Sequence, residues 1–390
     1  MNYSRQFAQI LQAMPQPGGA IDWQLLQSTC LQGVFQQMAN TPQNPTHHAE
    51  GDVFAHTQLV AQSLVELEEF ACCTKHEQEL LFVSALLHDI GKIATTTLQD
   101  GQLVSPRHAR VGTEMAREFL WKQAEMCGDV VRQNARETIC LLVKYHSFPP
   151  FAVFEKSNKK LLKIAGNGNL APSFCLRLLY VLEKADALGR KSQEPNDYME
   201  RIECFKMLAE DEGCYNGPHK FSTPFSQHAF FQGKTSWKED VLFDDTWGEI
   251  VVMCGLPASG KDTYLQSHFA HLPMVSLDAI RKAHKIDPTK PQGEVVAIAK
   301  EQAKDFLRAK RPFVWNATNI TKDTRSKIVS LAENYGARVR LVFLETDWQT
   351  GLQRNSNRQD VVPQNVVEKM LAKLEVPEID EAQTVEWIVT

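Results

Sequence analysis

The 390-residue chain has no C-x-x-C pair, no long apolar run, no internal repeat and no excess of positive charge. Each absence excludes something. The nine cysteines (30, 72, 73, 127, 140, 175, 204, 214 and 254) are odd in number and scattered. They fit neither a disulfide framework nor a zinc ribbon and read as buried reduced thiols. The densest apolar stretch, 80–87, is interrupted by Ser84, whereas a bilayer needs about 20 apolar residues. The opening Met1-Asn2-Tyr3-Ser4-Arg5-Gln6 lacks a basic segment leading into an apolar block. No signal peptide is visible, so a cytoplasmic protein is expected. Net charge is −5, and from Trp247 onward 19 Lys+Arg face 18 Asp+Glu, against 23 and 29 before it. Neither half is the basic body of a protein that coats nucleic acid. Any such ligand would be gripped at one end by a few arginines.

What is present points to two domains. The length exceeds one ordinary core, and 43% apolar with 23% charged residues is a globular composition. The first 50 residues are glutamine-rich, with a turn signal at Pro15-Gln16-Pro17-Gly18-Gly19. From Asp52 to about Met207 the pattern is helical: Leu59, Val60, Leu64, Val65 and Leu67 share one face, and so do Leu81, Phe82, Ala85 and Leu86. Between Gly213 and Gly248, helix breakers alternate with Phe221, Phe225, Phe230, Phe231 and Trp237, too aromatic for a free linker. Beyond Trp247, short apolar runs (250–253, 313–315, 339–344) alternate with helical stretches (295–310, 323–335), which predicts a parallel sheet covered on both faces. The expected architecture is an all-α helical bundle followed by an α/β domain. The expected boundaries are a helical extension at 1–44, the bundle at 45–212, a packed interdomain segment at 213–247 and the α/β domain at 248–390.

In the α/β part, Gly255-Leu-Pro-Ala-Ser259-Gly260-Lys261 follows a strand and opens a helix. Such glycines let backbone N–H groups turn toward a polyphosphate at the positive end of the helix dipole, with Lys261 reaching the β and γ phosphates. ATP is the implied ligand, held by Gly255, Ser259, Gly260, Lys261, Asp262 and Thr263. The position after the lysine, normally Ser or Thr, is Asp262, with Thr263 next. Either Asp262 ligates Mg²⁺ itself, or it is a helix-start charge and Thr263 serves the phosphates. The strand ending at Asn316 also lacks the aspartate expected of a Walker B position.

Asp278-x-x-Arg281, Trp315-Asn316-Ala-Thr318-Asn319 leading to Arg325, and Arg354-Asn-x-x-Arg358 before Val362-Pro363 complete a pattern over about 249–377. That stretch resembles the polynucleotide-kinase branch of P-loop kinases. The resemblance implies Asp278 as general base for a 5′-hydroxyl and Arg281 as holder of a neighbouring nucleotide phosphate. Thr318 and Asn319 would serve acceptor binding, with Arg354 and Arg358 clamping the transferred phosphoryl. From the residues alone, Asp278 also reads as a helix cap paired with Arg281, the two arginines as a solvated face, and Thr318-Asn319 as a turn.

In the helical part, His88-Asp89-Ile-Gly-Lys92 ends an apolar helix. His56 lies on an earlier helix, and Asp186, within Lys184-Ala-Asp-Ala-Leu-Gly-Arg190, on a later one. Such ligands from separate helices can converge on one cation. Residues 45–195 resemble the HD phosphohydrolase superfamily, especially the HD domains fused to tRNA nucleotidyltransferases. By that resemblance His56, His88, Asp89 and Asp186 are metal ligands. His108 and His146 fall where two-metal members carry further ligands; contact with a substrate phosphate, or a place in the core or on the surface, are the other readings. Lys92 either neutralises a phosphate oxygen or caps its helix. The donor set suits Mn, Fe, Ni, Co or Zn.

The two halves together resemble the bacterial end-healing enzymes called HD-Pnk. That implies hydrolysis of a 2′,3′-cyclic phosphate or 2′/3′-phosphate at one nucleic-acid end, RNA or DNA, and ATP- and Mg²⁺-dependent phosphorylation of a 5′-hydroxyl at the other. A separate RNA ligase would then seal them. Two alternatives remain: a small-molecule nucleotide phosphohydrolase joined to a metabolite kinase, and a nucleotide-sensing module without kinase turnover.

Overall fold

The computed structural model describes residues 4–192, 197–287 and 291–390. The chain divides into two compact units, Met1–Cys127 with Val131–His219, and Gly128–Val130 with Lys220–Thr390. Among the described residues no helix is long and apolar enough to cross a membrane, and no disulfide joins any of the cysteines.

The first unit is helical. Its positioning elements are α1 (Val53–Glu66), α2 (Lys75–Leu87), α3 (His108–Lys122), α4 (Val130–Tyr145) and α5 (Leu176–Gly189). Asp52 caps α1 by accepting from the Ala55 amide. At α2, Thr74 and Glu77 form a reciprocal capping box, which satisfies two otherwise orphaned backbone donors. Every residue of α2 from Leu80 to Leu87 is buried, so this helix is the axis of the bundle rather than an amphipathic outer member. A ribbon of β1 (Thr97–Gln99) and β2 (Gln102–Val104) interrupts the helices. Asp100 and Gly101 turn it with φ of 49° and 77°, the left-handed pair that two-residue hairpins prefer.

Two glycines set distances between helices. A Cβ on Gly189 of α5 would lie 2.6 Å from the Val60 amide nitrogen of α1. A Cβ on Gly91 would collide with the His108 carbonyl and lie 2.5 Å from the Gly112 amide nitrogen of α3. Gly91 has an ordinary φ of −67°, so proximity rather than backbone freedom demands glycine there.

The second unit is built on five parallel strands in the order β4-β5-β3-β6-β7: β3 (Glu249–Cys254), β4 (Met274–Ser276), β5 (Val314–Asn316), β6 (Arg338–Glu345) and β7 (Thr384–Val389). Helices α6 (Lys261–His268), α7 (Leu277–His284), α8 (Gly293–Arg308), α9 (Lys322–Asn334) and α10 (Trp348–Ser356) alternate with them. Val251, Val314 and Val342 pack with Met253, Leu265 and Leu344 in one core cluster. The chain leaves β3 toward β4 and β5 on one side and reaches β6 on the other. The crevice outside the carboxyl end of β3 is therefore the switch point where such sheets bind ligands. Residues 220–247 belong to this unit and are tied to α9 by His228 Nε2, 2.6 Å from Glu333 Oε1.

Candidate functional site

Five helical elements bring histidines and aspartates to one point in the first unit. His56 comes from α1, His88 caps α2, and Asp89 follows in the turn. His108 opens α3, His146 follows α4, and Asp186 lies on α5. His56, His88 and Asp186 offer ligand atoms within 4.8 Å of one another, and so do Asp89, His108 and His146. Asp89 faces both groups. Its Oδ2 is 3.6 Å from His56 Nε2 and 3.3 Å from His88 Nε2, while Oδ1 is 3.6 Å from His108 Nε2 and 3.8 Å from His146 Nε2.

Ring orientation follows from the opposite nitrogens. Nδ1 of His88, His108 and His146 lies 2.8, 3.0 and 2.8 Å from the carbonyl three residues earlier, of Ala85, Ser105 and Val143 respectively. A carbonyl only accepts, so each Nδ1 carries a proton and each Nε2 faces inward. His56 differs: its Nδ1 lies 2.8 Å from Glu50 Oε1, and His48 Nδ1 is 2.8 Å from the same oxygen.

This donor set fits a divalent cation. His56 Nε2 comes within 2.9 Å of Asp186 Oδ1 but is not aligned with it as donor to acceptor. His56 Nε2, His88 Nε2, Asp89 Oδ1 and Asp186 Oδ1 are all buried without a hydrogen bond, a costly arrangement unless another partner satisfies them. The Nε2 atoms of His108 and His146 stand 3.4 Å apart, close enough to serve one cation. Charge states agree. Burial disfavours an ionised Asp89, yet Lys92 and His88 hold its carboxyl well below the usual range. At Asp186, Arg190 and His56 likewise outweigh burial. Burial, with His88 and His108 nearby, pushes His146 down to about 3, so the ring is neutral. At His56 burial opposes the proton, but Asp186 and Glu50 raise its pKa above the ordinary value, marking a place that favours positive charge.

Lys92 is buried, its Nζ 2.7 Å from Asp89 Oδ2 and donating to Gln43 Oε1 at 2.6 Å. A cavity of about 420 Å³ opens at the cluster, lined by Lys92, Asp89, His108 and His146 together with Pro150, Phe151 and Tyr198. Glu183 also lines it; burial and Asp186 raise its pKa well above the usual range.

Two predictions arise here. Glu50→Gln removes the negative charge behind His56 and is expected to weaken divalent-cation affinity by about 10–100-fold; calorimetric titration of the metal-stripped protein checks it. Gly91→Ala should part α3, with His108, from Asp89 and cost about 1–3 kcal/mol by overpacking. Urea unfolding together with the same titration reads both effects.

In the second unit the loop between β3 and α6 carries left-handed backbone at Gly255, Ala258 and Gly260, with φ of 144°, 61° and 86°. Lys261 Nζ donates back to the carbonyls of Gly255 and Leu256 at 3.0 and 2.7 Å and to Ser259 Oγ at 3.3 Å. Desolvation lowers its pKa to about 8, and Asp262, Arg358 and Asp278 all act on its charge. Asp278 and Arg281 pair on α7, and Arg281 Nε donates to Gln292 Oε1 at 2.6 Å. Arg354 Nη1 donates to the hydroxyls of Thr346 and Thr390, each at 3.2 Å.

Other singled-out residues turn inward or brace the loop. The Thr318 carbonyl accepts from the Gly255 amide at 2.9 Å. Asn319 is buried with φ 43°, and its amide donates to the Met253 carbonyl at 2.7 Å. Arg325 is fully buried and forks onto Glu381 at 2.7 and 2.9 Å. Asp262 and Thr263 are both exposed at the start of α6.

Comparison with known proteins follows this division. Residues 53–187 match the HD domain family and residues 250–377 match an AAA domain family. No curated protein matches the chain. Among solved structures, a gluconokinase from Sinorhizobium meliloti 1021 shares 20% identity, over 36% of this chain and 81% of that one, with a TM-score of 0.28. Chaetomium thermophilum Kti12 in complex with ADP-AlF3 shares 17%, over 36% of this chain and 88% of that one, also at 0.28. An HD domain implies a divalent metal, and a P-loop kinase implies ATP and Mg²⁺. The chain thus carries a segment of the HD domain family at 53–187 followed by a segment of the AAA domain family, with its phosphate loop, at 250–377.

Proposed function

We propose that the chain heals broken nucleic-acid ends, RNA foremost, by removing a 2′,3′-cyclic or 2′/3′-phosphate at its HD centre and phosphorylating a 5′-hydroxyl at its kinase crevice. The observation that carries this reading is the HD cavity. Its charged lining suits a phosphate, and Phe151 and Tyr198, edge-on with centroids 6.3 Å apart, line the same space. About 420 Å³ is at the small end for ligand pockets, matching one terminal nucleotide, and an aromatic face is what a nucleobase stacks on.

In this reading His56, His88, Asp186 and Asp89 hold one divalent cation, and Asp89, His108 and His146 a second. Bound there, the metal lowers the pKa of water and steadies charge developing on phosphorus oxygens. Lys92 neutralises a phosphate oxygen beside Asp89. At the kinase crevice Asp278 accepts the proton of the 5′-hydroxyl, Arg281 and Thr318 serve the acceptor strand, and Asn319 braces the loop from inside. Lys261, Arg354 and Arg358 meet the charge of the transferring phosphoryl. Phosphoryl transfer needs this alignment and neutralisation rather than covalent catalysis. Both products are ends that a separate RNA ligase joins.

The near-neutral kinase half favours one other reading, a nucleotide phosphohydrolase joined to a metabolite kinase. A single oligonucleotide bearing a 5′-hydroxyl and a 2′,3′-cyclic phosphate decides between them, assayed with labelled ATP, Mg²⁺ and a panel of transition metals. Healing of both ends supports the proposal. Turnover of mononucleotides alone replaces it with the small-molecule reading, and an absence of labelled product makes the kinase half a nucleotide sensor.

A further inference from the structure

A phosphate loop ordinarily presents Mg²⁺ with a hydroxyl just after its lysine and a carboxylate from the end of a neighbouring strand. Here the carboxylate, Asp262, follows the lysine, and the uncharged residue, Asn316, ends the strand. The two meet: Asn316 Nδ2 donates to Asp262 Oδ1 at 2.9 Å. The same amide nitrogen lies 3.6 Å from Met274 Sδ. A carboxylate cannot donate to an amide oxygen while ionised, so the contact fixes which end of Asn316 faces Asp262. Asn316 is 9% exposed and pairs in register with Ser276 of β4, two residues before Asp278. Asp262 also acts electrostatically on Lys261. The pair thus stands at the carboxyl end of the sheet, with Asp262 directly after the loop lysine and Asn316 beside the strand that leads into the α7 acid.

Charge decides the reading. Hydroxyl plus carboxylate carries one negative charge; carboxylate plus amide carries one as well. Two substitutions that look like separate defects leave the total unchanged and move the charge from strand to loop. Mg²⁺ is a hard cation that takes carboxylate oxygens, and a carboxylate tied at one oxygen keeps the other for a ligand. Asp262 and its rival Thr263 are equally exposed on α6, and it is the Asp262 side chain that Asn316 meets.

We infer that Asp262 is the Mg²⁺-coordinating side chain of the kinase crevice and that Asn316 orients it, a charge-exchanged counterpart of the usual hydroxyl–carboxylate pair. This rests on the P-loop kinase character of the domain and not on any nucleic-acid substrate.

The test uses the full chain and a fluorescent ATP analogue, reading the factor by which Mg²⁺ tightens its binding. Transition metals are omitted so that the HD centre does not contribute. Asp262→Ser is expected to reduce that factor by about 10–100-fold, while affinity for the metal-free analogue stays within a few-fold. The double exchange Asp262→Ser with Asn316→Asp should recover most of the loss, and Thr263→Ala should leave the factor unchanged. Wild-type Mg²⁺ dependence in Asp262→Ser, a double variant no better than the single, or loss in Thr263→Ala overturns the inference. Should Asp262→Ser fail to fold, as thermal unfolding would report, Asp262→Asn retains shape and removes the charge. No step of this assay contains a polynucleotide, so its outcome is independent of the end-healing proposal.

Discussion

Asp89→Ala is expected to lower phosphoesterase turnover by about 10³-fold or more while 5′-kinase activity stays within a factor of about two. The size follows from geometry. Asp89 presents one oxygen to His56 and His88 and the other to His108 and His146, so one truncation takes a ligand from both groups. It also leaves Lys92 without the carboxylate 2.7 Å away. Several kcal/mol of charge stabilisation at phosphorus depends on the cation, and each 1.36 kcal/mol is about tenfold in rate. Rates on an oligonucleotide with a 2′,3′-cyclic phosphate, measured beside kinase rates on the same preparation, check the prediction. Equal loss of both activities would mean that the variant has unfolded or that the two reactions share a site.

Lys261→Met should produce the mirror image, with kinase turnover down by about 10³-fold and phosphoesterase activity retained. In the proposed reaction the ammonium neutralises phosphate oxygens, and such a transfer is catalysed almost wholly by electrostatics. Arginine should not rescue it, because a planar fork cannot occupy the pocket formed by the Gly255 and Leu256 carbonyls and Ser259 Oγ. Desolvation has already lowered the pKa of this lysine to about 8, whereas a bound polyphosphate favours its charged form. Nucleotide binding above pH 8 should therefore take up a proton and below pH 7 should not. Calorimetry in buffers of different ionisation enthalpy measures the difference, and Lys261→Met should abolish the uptake.

How far the sequence reveals this molecule depends on burial. The runs at 250–253, 313–315 and 339–344 mark β3, β5 and β6 because strands covered on both faces must be apolar throughout. The edge strand β7 has no such mark: Thr384, Glu386 and Trp387 keep it half-exposed, and its pairing with β6 is the only sign of it. The β1–β2 ribbon is equally hidden, since three-residue strands are too short to show a period. In the HD part, the resemblance to the HD superfamily singles out the histidines and aspartates that the fold brings together. Glu50 is not legible, although it stands only six residues before His56, because no pattern tells a buried loop carboxylate from a solvated one. Adjacent polar residues are ambiguous for the same reason. Thr318 and Asn319 look alike in sequence, yet Asn319 turns inward to Met253 while the Thr318 carbonyl braces Gly255.

The orientation of the four rings around Asp89 has a consequence for how this centre can be altered. His88, His108 and His146 are aimed by main-chain carbonyls, which are present whatever side chain occupies Ala85, Ser105 or Val143. Substitution at those positions leaves the acceptor in place, so three of the rings are insulated from drift in their neighbours. His56 alone faces a side chain, and Glu50 is shared with His48. Among the four rings, the basicity of His56 is therefore the one that a neighbouring side chain sets, through the acid behind it.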